Sequence, residues 1–371
     1  MMSNAEVIVY GASGYTGKLI AWHLAERGIP FIAAGRNQQR LEEQMAKVPE
    51  LANATYECAQ VEHDEAALVE LFRGKKVVVN VVGPFMKYGE PVVRAALEAG
   101  CHYLDTTGEQ DWILHLKKEY GAAFEEKGLL LAPATSWMWA AGQMATELAL
   151  ETAGVDTLDV VYLGDSNTSV ASTASFLSMC CSDQKYLSNH QLQVWPHTDV
   201  YNVSIPGEHR VYKSLPWGGA AEPVWYEGDQ RVRNCSVLVA FRNQVVAEWV
   251  IGRIKDWNDN YRELPRPEQE KAFAEWGATL VSEEPERENP DVNRCVISCH
   301  GRGNTSSVNV VLYGNSPYIQ TGVMAAEAVR RILIGRLYTT GFASACEAFG
   351  HREMISAMAE DGYLSWESTQ S

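Results

Sequence analysis

The run Val7-Ile8-Val9-Tyr10 passes directly into Gly11-Ala12-Ser13-Gly14-Tyr15-Thr16-Gly17, and an amphipathic stretch from Leu19 to Glu26 follows. A strand, a glycine-rich turn and a helix in that order constrain the chain more than any other feature, because each glycine has a use that a side chain would spoil. Gly11 makes the tight turn, Gly14 lets a pyrophosphate approach the backbone, and Gly17 lets the helix lie close against the strand. The helix then presents its N–H groups and the positive end of its dipole to the phosphates. Ser13, Tyr15 and Thr16 stand between the glycines and complete a candidate dinucleotide-binding turn.

The pattern that follows is consistent with this turn. From Glu6 to about Thr152 short β-branched runs alternate with helical stretches, which is how βαβ units and a parallel sheet are written. The expected strands are Val7–Tyr10, Phe31–Ala34, Thr55–Cys58, Val77–Val82, His102–Leu104 and Leu129–Ala132. Near Val155 the texture changes to β-rich runs broken by Pro and Gly, including Ser236 to Ile254 and Val292 to Tyr313, while Ser166 to Leu192 is helix-compatible. The fold class is therefore α/β: a Rossmann-type doubly wound parallel sheet over residues 1–153, then an α+β domain with a mostly antiparallel sheet over 154–315. Apolar residues at helical spacing lead us to expect that 316–371 forms helices packing back on the first domain.

Charge narrows the partners. Lys and Arg number 31 against 47 Asp and Glu, a net −16, with no basic run to neutralise a phosphate backbone or an anionic bilayer. Neither a nucleic acid nor a membrane is expected as a partner. The segment Met1-Met2-Ser3-Asn4-Ala5-Glu6 lacks a basic n-region and an apolar h-region, and the eight cysteines include no Cys-x-x-Cys pair, so a reducing cytoplasm is the expected location.

The second strand ends in Ala34-Gly35-Arg36-Asn37, where an NAD-binding turn places an acid on the ribose hydroxyls. Arg36 instead suits a 2′-phosphate, through charge-assisted and bidentate hydrogen bonds, with Asn37 or Arg40 assisting, so the expected cofactor is NADP(H). None of the 16 tyrosines has a lysine four residues later, which excludes the Tyr-x-x-x-Lys chemistry of short-chain dehydrogenases.

Further on the chain reads Val79-Asn80-Val81-Val82-Gly83-Pro84-Phe85-Met86-Lys87-Tyr88-Gly89-Glu90-Pro91, then Tyr103-Leu104-Asp105-Thr106-Thr107-Gly108-Glu109. With the Gly11 turn, these blocks resemble the saccharopine dehydrogenase-like NADP-dependent oxidoreductase family, and their wording is closest to the branch of trans-acting enoyl reductases. The resemblance covers about the first 130 residues. It implies that Asn80, Gly83, Pro84 and Phe85 adjoin the cofactor, and that Tyr88, Asp105 and Glu109 are the candidate catalytic groups on the proton side. A strand ending in Gly-Pro also stops its ladder and brings backbone close to a ligand. Where many family members carry a turn with Asp and Pro, this chain has Ala132-Pro133-Ala134-Thr135-Ser136-Trp137-Met138-Trp139, and Trp137 and Trp139 suit an apolar or planar substrate.

The expected function is an NADPH-dependent reductase acting on an activated C=C or C=N bond of a small-molecule or carrier-bound substrate. The alternatives are an imine- or opine-type amino-acid dehydrogenase, for which Arg210, Arg231, Arg233 and Arg242 would clamp carboxylates, and a non-catalytic NADP-binding sensor. Cys295-x-x-x-Cys299-His300 lies on an expected strand with no second ligand pair nearby, and no metal is expected there. Cys180-Cys181 is poor as a redox pair, because adjacent cysteines strain a disulfide. A two-fold homodimer is the default expectation for the assembly.

Overall fold

Six short strands, β1 (Val7–Tyr10), β2 (Phe31–Gly35), β3 (Tyr56–Gln60), β4 (Val77–Asn80), β5 (His102–Asp105) and β6 (Leu130–Ala132), pair in parallel in the spatial order β6-β5-β4-β1-β2-β3. Gly341–Phe342 adds a parallel seventh strand beside β6. This is a computed structural model, and it describes residues 5–180, 182–281 and 283–370. All four residues of β1 and of β4 are buried, as the unbroken apolar runs of a sheet covered on both faces require. From β1 the chain winds outward through β2 and β3, then crosses back to β4 and winds the other way. The carboxyl ends of β1 and β4 therefore flank the topological switch point at which such sheets bind ligands.

The sheet belongs to the first of two units, which takes in the chain up to Thr107, then Trp112–Ala140 and Tyr318–Met358. One face is filled by Ile8, Tyr10, Ile32, Val78, Phe85 and Trp112 among others. The second unit holds Gly108–Asp111, Ala141–Pro317 and the chain from Ala359 onward. The border falls ahead of the helix Gly142–Leu150, which the sequence reading gives to the first domain.

The second unit is built on a mixed sheet. β7 (Thr157–Gly164), the hairpin β8 (Lys185–Ser188) and β9 (Gln191–Val194), β10 (Tyr201–Ser204), β11 (Val211–Leu215), β12 (Asn234–Phe241), β13 (Cys295–Arg302) and β14 (Ser307–Gly314) form most of it. The order is β10-β11-β12-β7-β13-β14, closed by Leu364–Gln370, with the hairpin attached to β12. Among the described residues only the β12–β7 pair of this sheet is parallel. The α/β class and the mostly antiparallel second sheet are as expected.

Three elements differ. Leu364–Gln370 is a strand on β14 and not a helix. Helical spacing ends at Met358, and the alternation Leu364-Ser365-Trp366 takes over. The run from Ser236 splits after Phe241, because Asn243 Oδ1 accepts hydrogen bonds from the amides of Val245 and Val246 and starts the helix Gln244–Asn260. The helix-compatible stretch after Ser166 is helical only over Val170–Met179, and the rest is the β8–β9 hairpin. Cys181 lies outside the described residues.

Candidate cofactor site

The glycine turn carries the close contacts that its sequence demands. Gly11 has φ +94°, and a Cβ there would stand 2.8 Å from Val82 Cγ2 and 3.1 Å from Val81 Cγ2, so the turn lies directly against the end of β4. A Cβ on Gly17 would stand 2.6 Å from the Gly11 carbonyl oxygen and 2.7 Å from Ala12 Cα, so helix α1 (Tyr15–Glu26) rests on the turn itself. Gly14 is the N-cap of α1 and no side-chain cap covers the helix start, which leaves the positive end of the dipole facing the turn. Ser13 and Thr16 are half-buried, while Tyr15 packs edge-on against Tyr318 at 4.9 Å. Gly17→Val is expected to weaken NADP(H) binding by about a hundredfold or more, because the clash falls on backbone that cannot rotate away. Isothermal calorimetry, with a melting curve to score folding, checks this.

Arg36 follows β2 and is exposed, and its guanidinium makes no hydrogen bond or ion pair among the described residues. An unpaired arginine in a chain of net charge −16 is what an anion seat would look like. Asn37 has a different task from the one expected: its Oδ1 accepts from Arg40 N at 2.8 Å and caps the helix Gln38–Ala46.

Beneath the ends of β4, β5 and β6 runs a closed hydrogen-bond network. Asn80 Nδ2 donates to the Tyr103 hydroxyl at 3.1 Å, and Asn80 Oδ1 accepts from Val82 N at 3.1 Å. Both ends of this fully buried amide are thus engaged, and Asn80 sets the Val81–Val82 wall of the glycine turn. Asp105 is fully buried and accepts four hydrogen bonds. Oδ1 takes Thr107 N at 3.1 Å and Ala134 N at 2.9 Å, and Oδ2 takes the Tyr103 hydroxyl at 3.0 Å and Trp112 Nε1 at 2.9 Å. Burial raises its pKa to about 6, and the four donors only partly offset that cost. With every lone-pair direction used, Asp105 organises the loops after β5 and β6 and is not placed to hand a proton to a substrate. Phe85 lies in the core, against the expectation that it touches the cofactor, whereas Gly83 and Pro84 are half-buried in the turn after β4.

Tyr88 is half-buried at the end of the short helix Phe85–Tyr88, edge-on to His63 at 5.8 Å, with Lys87 Nζ 5.4 Å from its ring centre. His63 in turn stacks on Tyr10 and places Nδ1 2.8 Å from the Tyr10 hydroxyl. Tyr88 therefore belongs to a cluster with His63 and with Tyr10, the last residue of β1, and does not share the hydrogen-bond network of Asp105. No motif marks this cluster, because Tyr10 stands in an apolar strand run and His63 in the charged segment that follows β3. Trp139 is fully buried and Trp137 nearly so, with Trp137 N donating to Thr321 Oγ1 at 3.1 Å. Trp139 is fully buried as the protein stands, so it presents no open face to a substrate.

In the second unit Glu109 is buried and accepts a short hydrogen bond from Ser175 Oγ on the helix Val170–Met179. The four arginines are committed elsewhere. Arg231 is held by Asp229 and Glu147, Arg242 by Glu208, and Arg233 by Asn189 Oδ1, while Arg210 donates to the Arg242 carbonyl. Cys295 and Cys299 are buried in β13, and among the described residues no group of three or more His, Cys, Asp or Glu is arranged to hold a metal. Also among the described residues, no helix is long and apolar enough to cross a membrane.

Residues 140–366 match the family of unknown function DUF5938, a span of more than half of the chain. The chain belongs to DUF5938. In this DUF5938 member residues 7–128 match the saccharopine dehydrogenase NADP binding domain, so the resemblance read from the Gly11, Asn80 and Tyr103 blocks holds and the cofactor is NADP(H). Over 144 residues it is 35% identical to a Caenorhabditis elegans lipid droplet localized protein, covering 37% of this chain and 34% of that one. Over 106 residues it is 37% identical to a trans-acting enoyl reductase of Mycobacterium ulcerans, covering 28% of this chain and 25% of that one. The DUF5938 chain thus matches about a third or less of the length of these relatives. Its fold is that of the saccharopine dehydrogenase (L-Glu forming) of Saccharomyces cerevisiae, with TM-score 0.63 and 12% identity over 98% of this chain and 99% of the yeast one.

Proposed function

We propose that this DUF5938 chain is an NADP(H)-dependent reductase acting on an activated C=C bond, an enoyl group on a small or carrier-bound substrate. The observation that carries the reading is the glycine cradle at the switch point, walled by Val81 and Val82, with the unpaired Arg36 at the end of the neighbouring strand. Gly11 and Gly17 keep the turn low enough for a pyrophosphate, and the start of α1 faces it. Arg36 holds the 2′-phosphate and so selects NADPH over NADH. Asn80 and Asp105 keep the loops around the strand ends in register without touching the reacting atoms. The bound cofactor supplies a hydride for one carbon of the double bond, and a proton completes the other.

The choice of C=C over C=N rests on the second-unit arginines. An imine or opine substrate carries carboxylates that need free guanidinium groups, and Arg210, Arg231, Arg233 and Arg242 are each bonded to a partner in their own unit. Similarity to a trans-acting enoyl reductase points the same way.

The test is calorimetric titration with NADPH and NADH, then NADPH oxidation at 340 nm with 2-enoyl thioesters or with a 2-oxo acid plus an amine. NADPH is expected to bind more tightly than NADH, and Arg36→Ala to remove about 10- to 100-fold of that preference. Turnover is expected with the enoyl thioester. Turnover only with the oxo acid and amine would replace the C=C reading by the C=N one. Tight binding with no turnover on any acceptor would make the chain an NADP sensor.

A further inference from the structure

His63 stands three residues beyond β3, and the segment that carries it is tied to the end of β2 by the hydrogen bond from Val61 N to the Gly35 carbonyl, 3.0 Å. That bond brings the loop alongside Arg36. On one side the His63 ring lies parallel to Tyr10, 4° between planes and 6.0 Å between centres, and on another it meets the edge of Tyr88. Nδ1 is taken by the Tyr10 hydroxyl, while Nε2 makes no hydrogen bond among the described residues. The last residue of β1, the first residue after β2 and the loop after β3 therefore gather a guanidinium and an imidazole around one patch. Lys87 extends the same basic rim from the helix Phe85–Tyr88.

We propose that His63 completes the anion seat opened by Arg36, binding the adenosine 2′-phosphate as a histidinium and taking up its proton together with the cofactor. The inference rests on the reading that NADPH places its 2′-phosphate at Arg36.

The electrostatics around His63 fit this role. In the protein alone burial lowers the His63 pKa, the Arg36 charge lowers it further, and Asp64 pulls it back up. Arg36 also acts on Tyr10, whose pKa burial lifts to about 12, with Glu62 pushing in the same direction as burial. The groups that bear on the imidazole are thus Tyr10 on β1, Arg36 after β2, Asp64 beside it in its own loop, and Tyr88, with Lys87 over the Tyr88 ring. At neutral pH the imidazole is uncharged, and when the Tyr10 hydroxyl donates to Nδ1 the ring proton sits on Nε2. A phosphate dianion arriving between Arg36 and His63 offsets the guanidinium charge and adds an opposite charge of its own. Both effects raise the histidine pKa, so binding draws a proton from solvent.

Proton uptake is read by titrating the full chain with NADPH at pH 7 in buffers of different ionisation enthalpy. We expect about 0.5 to 1 proton taken up per NADPH and close to none per NADH. The phosphate itself, whose second pKa is about 6, can only release a proton on binding as a dianion, so the sign of the effect separates the two sources. His63→Gln is expected to abolish the uptake and weaken NADPH about tenfold at pH 7, with NADH binding retained as the sign of an intact fold. Uptake that persists in His63→Gln, while Arg36→Ala still loses the NADPH preference, overturns the role of His63 alone. If Arg36→Ala keeps the full preference for NADPH, the Arg36 reading fails, and this inference fails with it.

Discussion

Asp105→Ala is expected to lower the melting temperature by roughly 10 °C, the largest loss of any single substitution considered for the first unit. The carboxylate is fully buried, and its removal strands the amides of Thr107 and Ala134, the Trp112 indole N–H and the Tyr103 hydroxyl in a site that water does not reach. Each stranded donor costs about 1–3 kcal/mol, and partial relaxation of the loops brings the sum to an order of 4 kcal/mol. Asp105→Asn separates charge from shape. Its carbonyl oxygen can keep the two amide bonds at the Oδ1 position, but its amide nitrogen would face the Trp112 N–H at the other, so an intermediate loss is expected. Differential scanning calorimetry of the three proteins at pH 7 measures this order. If Asp105 were instead a catalytic acid with little structural weight, Asp105→Ala would melt with the parent and lose only turnover.

This contrast marks where sequence reasoning reached and where it stopped. The first six strands of the parallel sheet were legible to within two residues at each end, since a buried parallel strand must be a continuous apolar run and the glycine turn fixes what lies between β1 and α1, whereas the two-residue strand Gly341–Phe342 was not. Arg36 was legible as a candidate for a related reason: the end of β2 is a place where one charge decides between two cofactors. Asp105, Tyr88 and Trp139 were legible as conspicuous residues but not in their roles. Whether a carboxylate after a strand meets a ligand or four internal donors depends on Trp112 and Ala134, which approach it from other elements. The Tyr10–His63–Tyr88 cluster joins a strand end, a loop and a helix end far apart in sequence, and no local pattern encodes it. Glu222 left a faint sign, as the lone charge between Lys213 and Glu227 in a run of Pro, Trp, Gly and Ala.

Glu222 leads to the second large effect, in the second unit. Its side chain is fully buried, with Oε1 accepting from the Tyr162 hydroxyl at 2.7 Å, and the backbone at Ala221 and Glu222 also bears on the carboxyl, lowering its pKa. Gly142 leaves the room for this pair, since a Cβ there would stand 2.0 Å from the Tyr162 hydroxyl oxygen. Burial raises the Glu222 pKa to about 8, and the Tyr162 hydroxyl only partly opposes it. The folded protein thus holds the proton at neutral pH, while the unfolded chain releases it near the ordinary value of about 4.3. More protons bound in the folded state means that stability falls as pH rises, from the unfolded pKa up to the folded one. Asp105 contributes in the same direction, but only up to its own value of about 6. The histidines with lowered pKa, His63, His102 and His197, act below about 6.5, where acid costs stability. The histidines and the buried cysteines contribute equally to the parent and to Glu222→Gln, so the difference between the two proteins isolates Glu222, and that difference is expected to change by about 2 kcal/mol from pH 6.5 to 8, at about 1.36 kcal/mol per pH unit. Glu222→Gln has no proton to lose at this position and keeps an acceptor for Tyr162, so its stability is expected to rise relative to the parent's over the same interval. Urea unfolding at pH 6.5, 7.25 and 8 makes the comparison. Parallel slopes in the two proteins would mean that Glu222 is ionised in the fold, and that a cation or solvent reaches Oε2.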